Sequence, residues 1–160
     1  MTLLRKSITD SPPGVHRFVL RVYYEDTDAA GIVYYANYLK FAERARTEML
    51  RLLGFTQEAM RRATGHVFAV RRCSADYLAP ARLDDELVVE SLLTALGGAS
   101  LEIDQRITCG GQDLVRLALR LACLDANGRP SRLPPPLRAA LARFHRQSAA
   151  FNRVTDSHAR

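Results

Sequence analysis

Three carboxylates in a short loop are the side chains of this sequence best suited to chemistry. Glu25, Asp26 and Asp28 follow a segment with strand periodicity, and Gly31 interrupts the chain before a helical segment begins. A carboxylate in this position lies near the first turn of a helix, where free backbone N–H groups can hold a carbonyl oxygen or an oxyanion. A general base or nucleophile beside oxyanion donors is the arrangement that acyl transfer requires.

The same loop has a structural interpretation and a metal-binding one. Asp and Gly are ordinary turn residues, and Asp is an ordinary helix cap, so the bare acidic loop by itself favours a structural role. Asp26 and Asp28 resemble the beginning of a calcium loop, but no later carboxylate stands at the spacing of an EF-hand, and residues 32–35 are apolar. The sequence therefore predicts no metal site.

The wider pattern around the loop favours a catalytic role. Its members are Tyr24, Asp26, Thr27, Asp28, Gly31, Val33, Tyr34, Asn37, Tyr38 and Glu43. At these spacings the segment resembles the signature of the hotdog-fold thioesterases, above all 4-hydroxybenzoyl-CoA thioesterase and the acyl-CoA thioesterases associated with the Tol-Pal system. The resemblance implies hydrolysis of an acyl-CoA, or of an acyl carrier protein thioester, to a free acid and a thiol. It implies no cofactor, since coenzyme A enters as part of the substrate.

The resemblance also assigns roles to single residues. It makes Asp28 the catalytic carboxylate, as nucleophile or general base, and the backbone N–H of Tyr35 the donor to the thioester carbonyl. Tyr24 matches a position implicated in the sites of Tol-Pal-associated members, although an aromatic residue at a strand end is often part of a core. Tyr35 stands where those members usually carry His, so acyl-group preference does not transfer from them.

Charge adds a second set of candidates. A net charge of +6 suits a ligand that carries phosphates. Candidate contacts to the CoA nucleotide are Arg61, Arg62, Arg71, Arg72 and Arg82. We predict substrate-binding roles for Arg71 and Arg72, and for Gly31 and Tyr34 of the matching segment. The same basicity also suits acidic carrier proteins, anionic lipid headgroups or nucleic acid, and scattered arginines often only solvate a surface.

Length and composition predict one domain over residues 1–160, with a core over about 15–125 and a C-terminal helix and tail over 126–160. The N-terminal segment lacks the apolar stretch of a secretory signal, and arginines interrupt the most apolar later segment, so we expect a cytoplasmic protein without a transmembrane segment. Cys73, Cys109 and Cys123 form no C-x-x-C pair and are expected to be reduced core residues.

Periodicity supplies the elements that position the loop. We predict a strand over 16–24, a long helix over 36–53, a helical turn over 56–63, strands over 67–77, 86–96, 100–108 and 114–124, and a short helix over 137–144 that frays beyond residue 147. In the 100–108 strand, Glu102, Asp104, Arg106 and Thr108 are expected to face outward. This order predicts an α+β fold with a curled antiparallel sheet around a long helix, and the resemblance identifies it as the hotdog fold.

The resemblance further implies a homodimer or homotetramer with active sites between subunits, and residues 70–77 are candidates for the second subunit's contribution. Two alternatives stay open: a hotdog module that binds an acyl thioester without cleaving it, and a hotdog dehydratase or isomerase that acts on the acyl chain. A nucleic-acid-binding protein is not predicted, because Tyr34, Tyr35, Tyr38 and Phe41 have helical apolar spacing and are not interleaved with basic residues on a strand.

Overall fold

Alternating and helical segments of the sequence fold into one antiparallel sheet with helices packed against it. The computed structural model describes residues 11–157, with side chains described to residue 154. The strands are β1 His16–Arg21, β2 Val67–Tyr77, β3 Glu86–Leu96, β4 Ser100–Cys109 and β5 Gln112–Leu124. The helices are α1 Asn37–Leu52, α2 Gln57–Thr64 and α3 Pro135–Ser157, and a single 3-10 turn covers Tyr24–Asp26.

The strand order is β1-β3-β4-β5-β2, and every neighbouring pair is antiparallel. Strands β3, β4 and β5 form a meander because tight turns at Gly97–Gly98 and Gly110–Gly111 connect them. Strand β2 lies at one edge, where only β5 pairs with it among the described residues. This architecture confirms the predicted α+β class and curled antiparallel sheet.

Helix α1 forms because its apolar residues recur at helical spacing and bury one face against β1, β3 and β4. Tyr38, Phe41, Ala42, Ala45 and Met49 are all buried there. Burial of a side chain such as Phe41 or Met49 contributes about 1.5–3 kcal/mol. The apolar stripe is narrower than the sequence suggests, because Leu39 and Leu52 are exposed.

Polar residues occupy positions in the core where the sequence pattern predicted none. Gln105 of β4 is buried, and the prediction that Thr108 faces outward is wrong, because Thr108 is buried as well. The register of β4 against β5 shifts between Ile107 and Thr108, so strict alternation ends at this bulge. The outward positions of Glu102, Asp104 and Arg106 are confirmed.

The C-terminal helix is longer than predicted. It runs from Pro135 to Ser157, whereas the sequence suggested a short helix that frays beyond residue 147. Its buried face is Leu137, Leu141, Phe144 and Ser148. The sequence pattern does not reveal that the buried face extends to Ser148, because a polar residue interrupts the apolar spacing there. The Ser148 hydroxyl is hydrogen-bonded inside the core: it donates to the carbonyl of Gly14 at 2.6 Å and accepts the Leu93 N–H at 3.3 Å.

Several other predictions concern single residues and segments. Strand β1 ends at Arg21, three residues earlier than predicted, because the chain turns into the 3-10 segment. Cys123 is buried, but Cys73 is exposed on β2, so its assignment to the core is wrong. No helix among the described residues is long and apolar enough to cross a membrane. The N-terminal segment 1–10 and residues 158–160 of the predicted tail lie outside the described residues.

Candidate functional site

The acidic loop folds back on the start of α1 through Asp26. The Asp26 side chain is buried, and its Oδ2 accepts the N–H of Tyr23 at 2.8 Å. Its carbonyl oxygen accepts two more hydrogen bonds, from the Tyr34 N–H at 2.9 Å and from the Asn37 side-chain amide at 2.9 Å. Asp26 therefore has a structural role, because all of these bonds hold the loop against the first turn of α1.

Asp28 opens a tight turn. Its N–H donates to the carbonyl of Ile32 at 2.9 Å, and its own carbonyl accepts the Gly31 N–H at 3.0 Å. Gly31 adopts a φ of +76°, a left-handed conformation that favours glycine and explains the residue type at this position. The turn thus fixes the backbone of Asp28 without burying its side chain, which is exposed.

Only one oxygen of the Asp28 carboxylate accepts a hydrogen bond within this turn. Oδ1 accepts the N–H of Ala30 at 2.8 Å, which is the bond of an ordinary Asx turn. Among residues 11–157, no group donates a hydrogen bond to Oδ2. The structural interpretation of Asp28 is therefore correct but incomplete, because one carboxylate oxygen stays available to a ligand or a water molecule.

The start of α1 carries an uncommitted backbone donor. The residue before the helix is Ala36, which has no side-chain oxygen to cap the first turn. The N–H of Tyr34 donates to Asp26, and the N–H of Asn37 donates to the Tyr34 carbonyl. The N–H of Tyr35 donates to no acceptor within the described part of the chain. An unpaired N–H at a helix start is a donor that a carbonyl oxygen or an oxyanion can occupy.

Tyr34 links the carboxylate to this helix start. A side-chain hydrogen bond with Tyr35 raises the pKa of Tyr34 above its ordinary value, and the negative charge of Asp28 raises it further. The rings of Tyr34 and Tyr35 lie 4.9 Å apart edge to face. The pairing of Asp28 with Ile32 and the contact of the Tyr34 and Tyr35 rings thus lie in one segment that leads into α1.

Tyr77 joins the end of β2 to the start of α1. Its hydroxyl donates to the carbonyl of Tyr35 at 3.1 Å, and its ring contacts those of Tyr35 and Tyr38 with centroid distances of 6.1 Å and 5.8 Å. Burial raises the pKa of Tyr77, and Cys73 and Tyr35 raise it further. The sequence analysis included Tyr77 as the last residue of a strand and of the 70–77 segment proposed to serve a second subunit's site, but nothing in the linear pattern indicated its contact with Tyr35 of the same chain.

Three of the predicted site residues have exposed side chains without a partner among the described residues. Tyr24 is 83% exposed, and only its backbone carbonyl forms a hydrogen bond, with Thr27, among the described residues. Arg71 and Arg72 are exposed on β2, where the register against β5 shifts between Val70 and Arg72. Neither arginine forms an ion pair with a described residue, so both side chains are available to an anion.

The remaining candidate arginines divide into two groups. Arg61 and Arg62 both pair with Glu58 at 2.8 Å, so this one carboxylate already engages both guanidinium groups and compensates one of the two charges on α2. Arg82 lies beside the acidic loop, because its backbone bridges to Ile32. The structure thus favours Arg82 over Arg61 and Arg62 as a contact near Asp28.

Strand β2 presents a long free edge next to this site. Its residues from Val70 to Ser74 are all exposed, and its outer N–H and C=O groups face no other strand of the described chain. A small cavity of about 90 Å³ separates the first half of β2 from α1, with Phe68, Val70 and Met49 among its apolar walls. An open edge of this length is a ready partner for a second strand.

Comparison with known proteins gives this geometry a context. The thioesterase superfamily pattern matches residues 30–116. The chain is 42% identical over 129 residues to the acyl-CoA thioesterase YbgC of Haemophilus influenzae, covering 80% of this chain and 93% of that protein. It is 46% identical over 120 residues to the acyl-CoA thioester hydrolase YbgC of Escherichia coli, covering 74% and 89%. A solved structure of a probable thioesterase from Bartonella henselae superimposes with a TM-score of 0.73 at 36% identity, covering 75% of this chain and 99% of that one.

Proposed function

We propose, on the premise that this chain belongs to the thioesterase superfamily and hydrolyses acyl-CoA thioesters, that Asp28 and the backbone N–H of Tyr35 are its reacting groups. The hotdog fold and the thioesterase activity predicted from the sequence are confirmed by these relatives. The observation that carries the proposal is the pairing of a carboxylate with one unused oxygen and a helix-start N–H with no acceptor among the described residues. Both groups belong to residues that are close to Tyr34 along the chain, and the negative charge of Asp28 is one of the causes that raise the pKa of Tyr34.

Two routes use this pair. In the first, Asp28 takes a proton from a water molecule, the water oxygen attacks the thioester carbon, the C–S bond breaks and the CoA thiolate takes up the proton. In the second, a carboxylate oxygen of Asp28 attacks the thioester carbon, CoA leaves as the thiolate and water then hydrolyses the mixed anhydride. In both routes the Tyr35 N–H stabilises the negative charge that develops on the carbonyl oxygen.

The neighbouring residues support this chemistry in different ways. Gly31 closes the turn that presents Asp28, since its positive φ suits glycine. The Tyr34 ring packs edge to face against that of Tyr35 and is partly exposed, so its phenol is proposed to contact the acyl group. Tyr24 is the least supported of the proposed site residues, because its ring is largely exposed and has no partner among the described residues.

The substrate is an acyl-CoA whose acyl group packs against aromatic rings. Tyr34, Tyr35 and Tyr77 are each between 45% and 60% exposed and surround the helix start, so they offer apolar faces beside the reacting carbonyl. Arg71, Arg72 and Arg82 are the proposed contacts to the phosphates of CoA, because no described carboxylate pairs with their guanidinium groups. The proposal needs no cofactor beyond the CoA of the substrate.

The proposed assembly is a homodimer or homotetramer in which β2 edges meet. The exposed edge of β2 and its apolar residues Val70 and Tyr77 support this assembly. An acyl carrier protein thioester is the second candidate substrate, favoured by the net charge of +6, which suits an acidic carrier. A binding module or a dehydratase is not favoured, since the relatives are named as thioester hydrolases. A place beside the Tol-Pal machinery stays a prediction of the sequence resemblance.

Free-thiol release from short-chain, long-chain and aromatic acyl-CoAs tests the proposal. The native protein is expected to release thiol from at least one of them, and Asp28→Asn is expected to lower kcat by about a hundredfold or more. Asp26→Asn is the matched control, because the same change two residues away removes a carboxylate that already has a structural partner. Equal rates for native protein and Asp28→Asn would remove Asp28 from the chemistry, and equal losses for both variants would point to loop disruption.

A further inference from the structure

The C-terminal segment carries a concentration of positive charge that the thioesterase site does not use. Residues 126–155 contain six arginines and no Asp or Glu. Helix α3 buries Leu137, Leu141, Phe144 and Ser148, so its opposite face is turned to solvent. Arg138, Arg143 and Arg146 are exposed on α3, and Ala139, Ala140 and Ala142 lie between the first two. We call Arg138, Arg143 and Arg146 the basic face; the acidic residue of α3, Asp156, stands ten residues beyond Arg146 in the sequence.

The charges of the basic face are not neutralised from other elements either. Among the described residues, no carboxylate forms an ion pair with Arg132, Arg143 or Arg146. The guanidinium of Arg138 donates to the carbonyl of Gly97, which holds it over the turn between β3 and β4. A guanidinium has five N–H donors, so this one bond leaves most of them available.

An apolar groove continues the basic face. It has a volume of about 660 Å³, opens to solvent and is walled mainly by Leu133, Pro135, Ala139 and Ala142. Arg132 and Arg138 lie at its rim. Pro134, Pro135 and Pro136 have no N–H, so an anion at this end of α3 would be bound by the two guanidinium groups and not by the helix backbone.

We propose that the basic face and this groove form a docking surface for the anionic lipids of a membrane. A phospholipid combines the two features that the surface requires, because it carries a phosphate for Arg132 and Arg138 and hydrocarbon for the groove beneath them. The short side chains of the alanines leave no bulky group beside the arginines, which suits contact with a plane of headgroups along the helix. The apolar face of α3 is buried in the core, so the helix does not insert into the membrane. The contact is peripheral, with electrostatic attraction at the arginines and apolar contact at the groove.

Vesicle flotation with the full chain tests this proposal. The native protein is expected to float with vesicles of phosphatidylcholine that contain about one-third phosphatidylglycerol, to stay unbound with pure phosphatidylcholine, and to dissociate as salt is raised. Arg143→Gln with Arg146→Gln is expected to weaken binding by about 25-fold, since each arginine near such a surface contributes roughly fivefold. Thermal unfolding of this variant checks that it folds as the native protein does.

The matched control is Arg61→Gln with Arg62→Gln, which removes two positive charges from α2, where Glu58 already pairs with them. Equal weakening by both double variants would show that only net charge matters and would overturn the proposal. Absence of binding to anionic vesicles at low salt would overturn it too, as would retention by an acidic protein in place of vesicles. For the groove, Ala139→Phe leaves every charge in place and is expected to lower binding, and unchanged binding would overturn that part.

Discussion

Polar groups at the start of α1 are exposed and partly unpaired, whereas polar groups in its middle are buried and hydrogen-bonded. At the start, the Asp28 carboxylate is exposed and half used, and the Tyr35 N–H has no acceptor among the described residues. In the middle, Arg46 is buried and donates to Gln105 at 2.8 Å. Gln105 in turn donates to the Ala42 carbonyl at 3.0 Å and to the Ser91 hydroxyl at 2.9 Å. One helix therefore has a polar anchor in its middle and unused polar groups at its end.

The difference shows how a rigid element can present reactive groups. A buried polar network stabilises a fold through its paired groups, and here the two terminal nitrogens of Arg46 are paired with Gln105 and Glu43 while its Nε has no partner among the described residues. The paired groups fix the position of α1 on the sheet. Glu43 extends this network, since its carboxylate pairs with Arg46. The unused groups at the start then stand at a defined place because the helix that carries them cannot slide. We expect mutations in the middle to change stability and mutations at the start to change rate.

The largest difference between the effect on rate and the effect on stability is expected for Asp28→Asn. An asparagine side-chain oxygen can still accept the Ala30 N–H, so the turn should persist and the midpoint of thermal unfolding should change little. The rate of thioester hydrolysis should fall by about a hundredfold or more, because an amide is neither a base nor a nucleophile. Parallel calorimetry and thiol-release kinetics measure both quantities. A large drop in stability would mean that the start of α1 is an anchor as well.

A large loss of stability is expected for Gln105→Leu, which changes the β4 residue that pairs with the middle of α1. The change leaves the Arg46 guanidinium, the Ala42 carbonyl and the Ser91 hydroxyl without their buried partner, which should cost about 3 kcal/mol in free energy of unfolding. Urea denaturation measures this cost. Arg106→Leu is the matched control on the next residue of β4, since its partners are exposed or partly exposed and its loss should cost under about 1 kcal/mol. Equal costs would show that the network does not anchor α1.

A smaller and mixed effect is expected for Tyr77→Phe, which removes the hydrogen bond between β2 and the start of α1. The lost bond to the Tyr35 carbonyl should cost about 1 kcal/mol, because the ring contacts remain. If this bond orients the Tyr35 N–H, kcat should fall several-fold while KM changes little. Steady-state kinetics on the preferred acyl-CoA would detect this, and an unchanged kcat would limit Tyr77 to packing.

The smallest effect at neutral pH concerns His16, which lies under α1 near Glu48. Burial lowers the pKa of His16 below its ordinary value of 6.5, and the Glu48 charge opposes this only in part. The folded state therefore binds the proton less readily than the unfolded chain, so the stabilisation from the neutral ring is complete above about pH 6.5 and is lost as pH falls through the folded pKa. His16→Gln should flatten the decline of the unfolding free energy between pH 7 and pH 5. An equally steep decline in this variant would place the acid sensitivity elsewhere.

Sequence reasoning succeeded where the relevant signal is local. Strands β2 and β3 have the predicted bounds, since alternation and flanking turns mark both ends, and Asp28, Gly31, Tyr34 and Tyr35 lie in one short segment. It failed where distant residues determine the outcome. The full length of α3 depends on the contact of Ser148 with Gly14, and a side chain at position 14 would meet the Ser148 nitrogen at 2.1 Å.

The sequence by itself determined the order of the elements, the acidic loop before α1 and the family resemblance, because each depends on residues that are close along the chain. Only the tertiary structure decided that Asp26 is buried while Asp28 is exposed, that Tyr77 contacts Tyr35, and that Arg61 and Arg62 are paired while Arg71 and Arg72 are not. The physical reason is that burial and pairing depend on which surfaces meet in space. Two aspartates two residues apart are alike in sequence, and only packing against α1 distinguishes them.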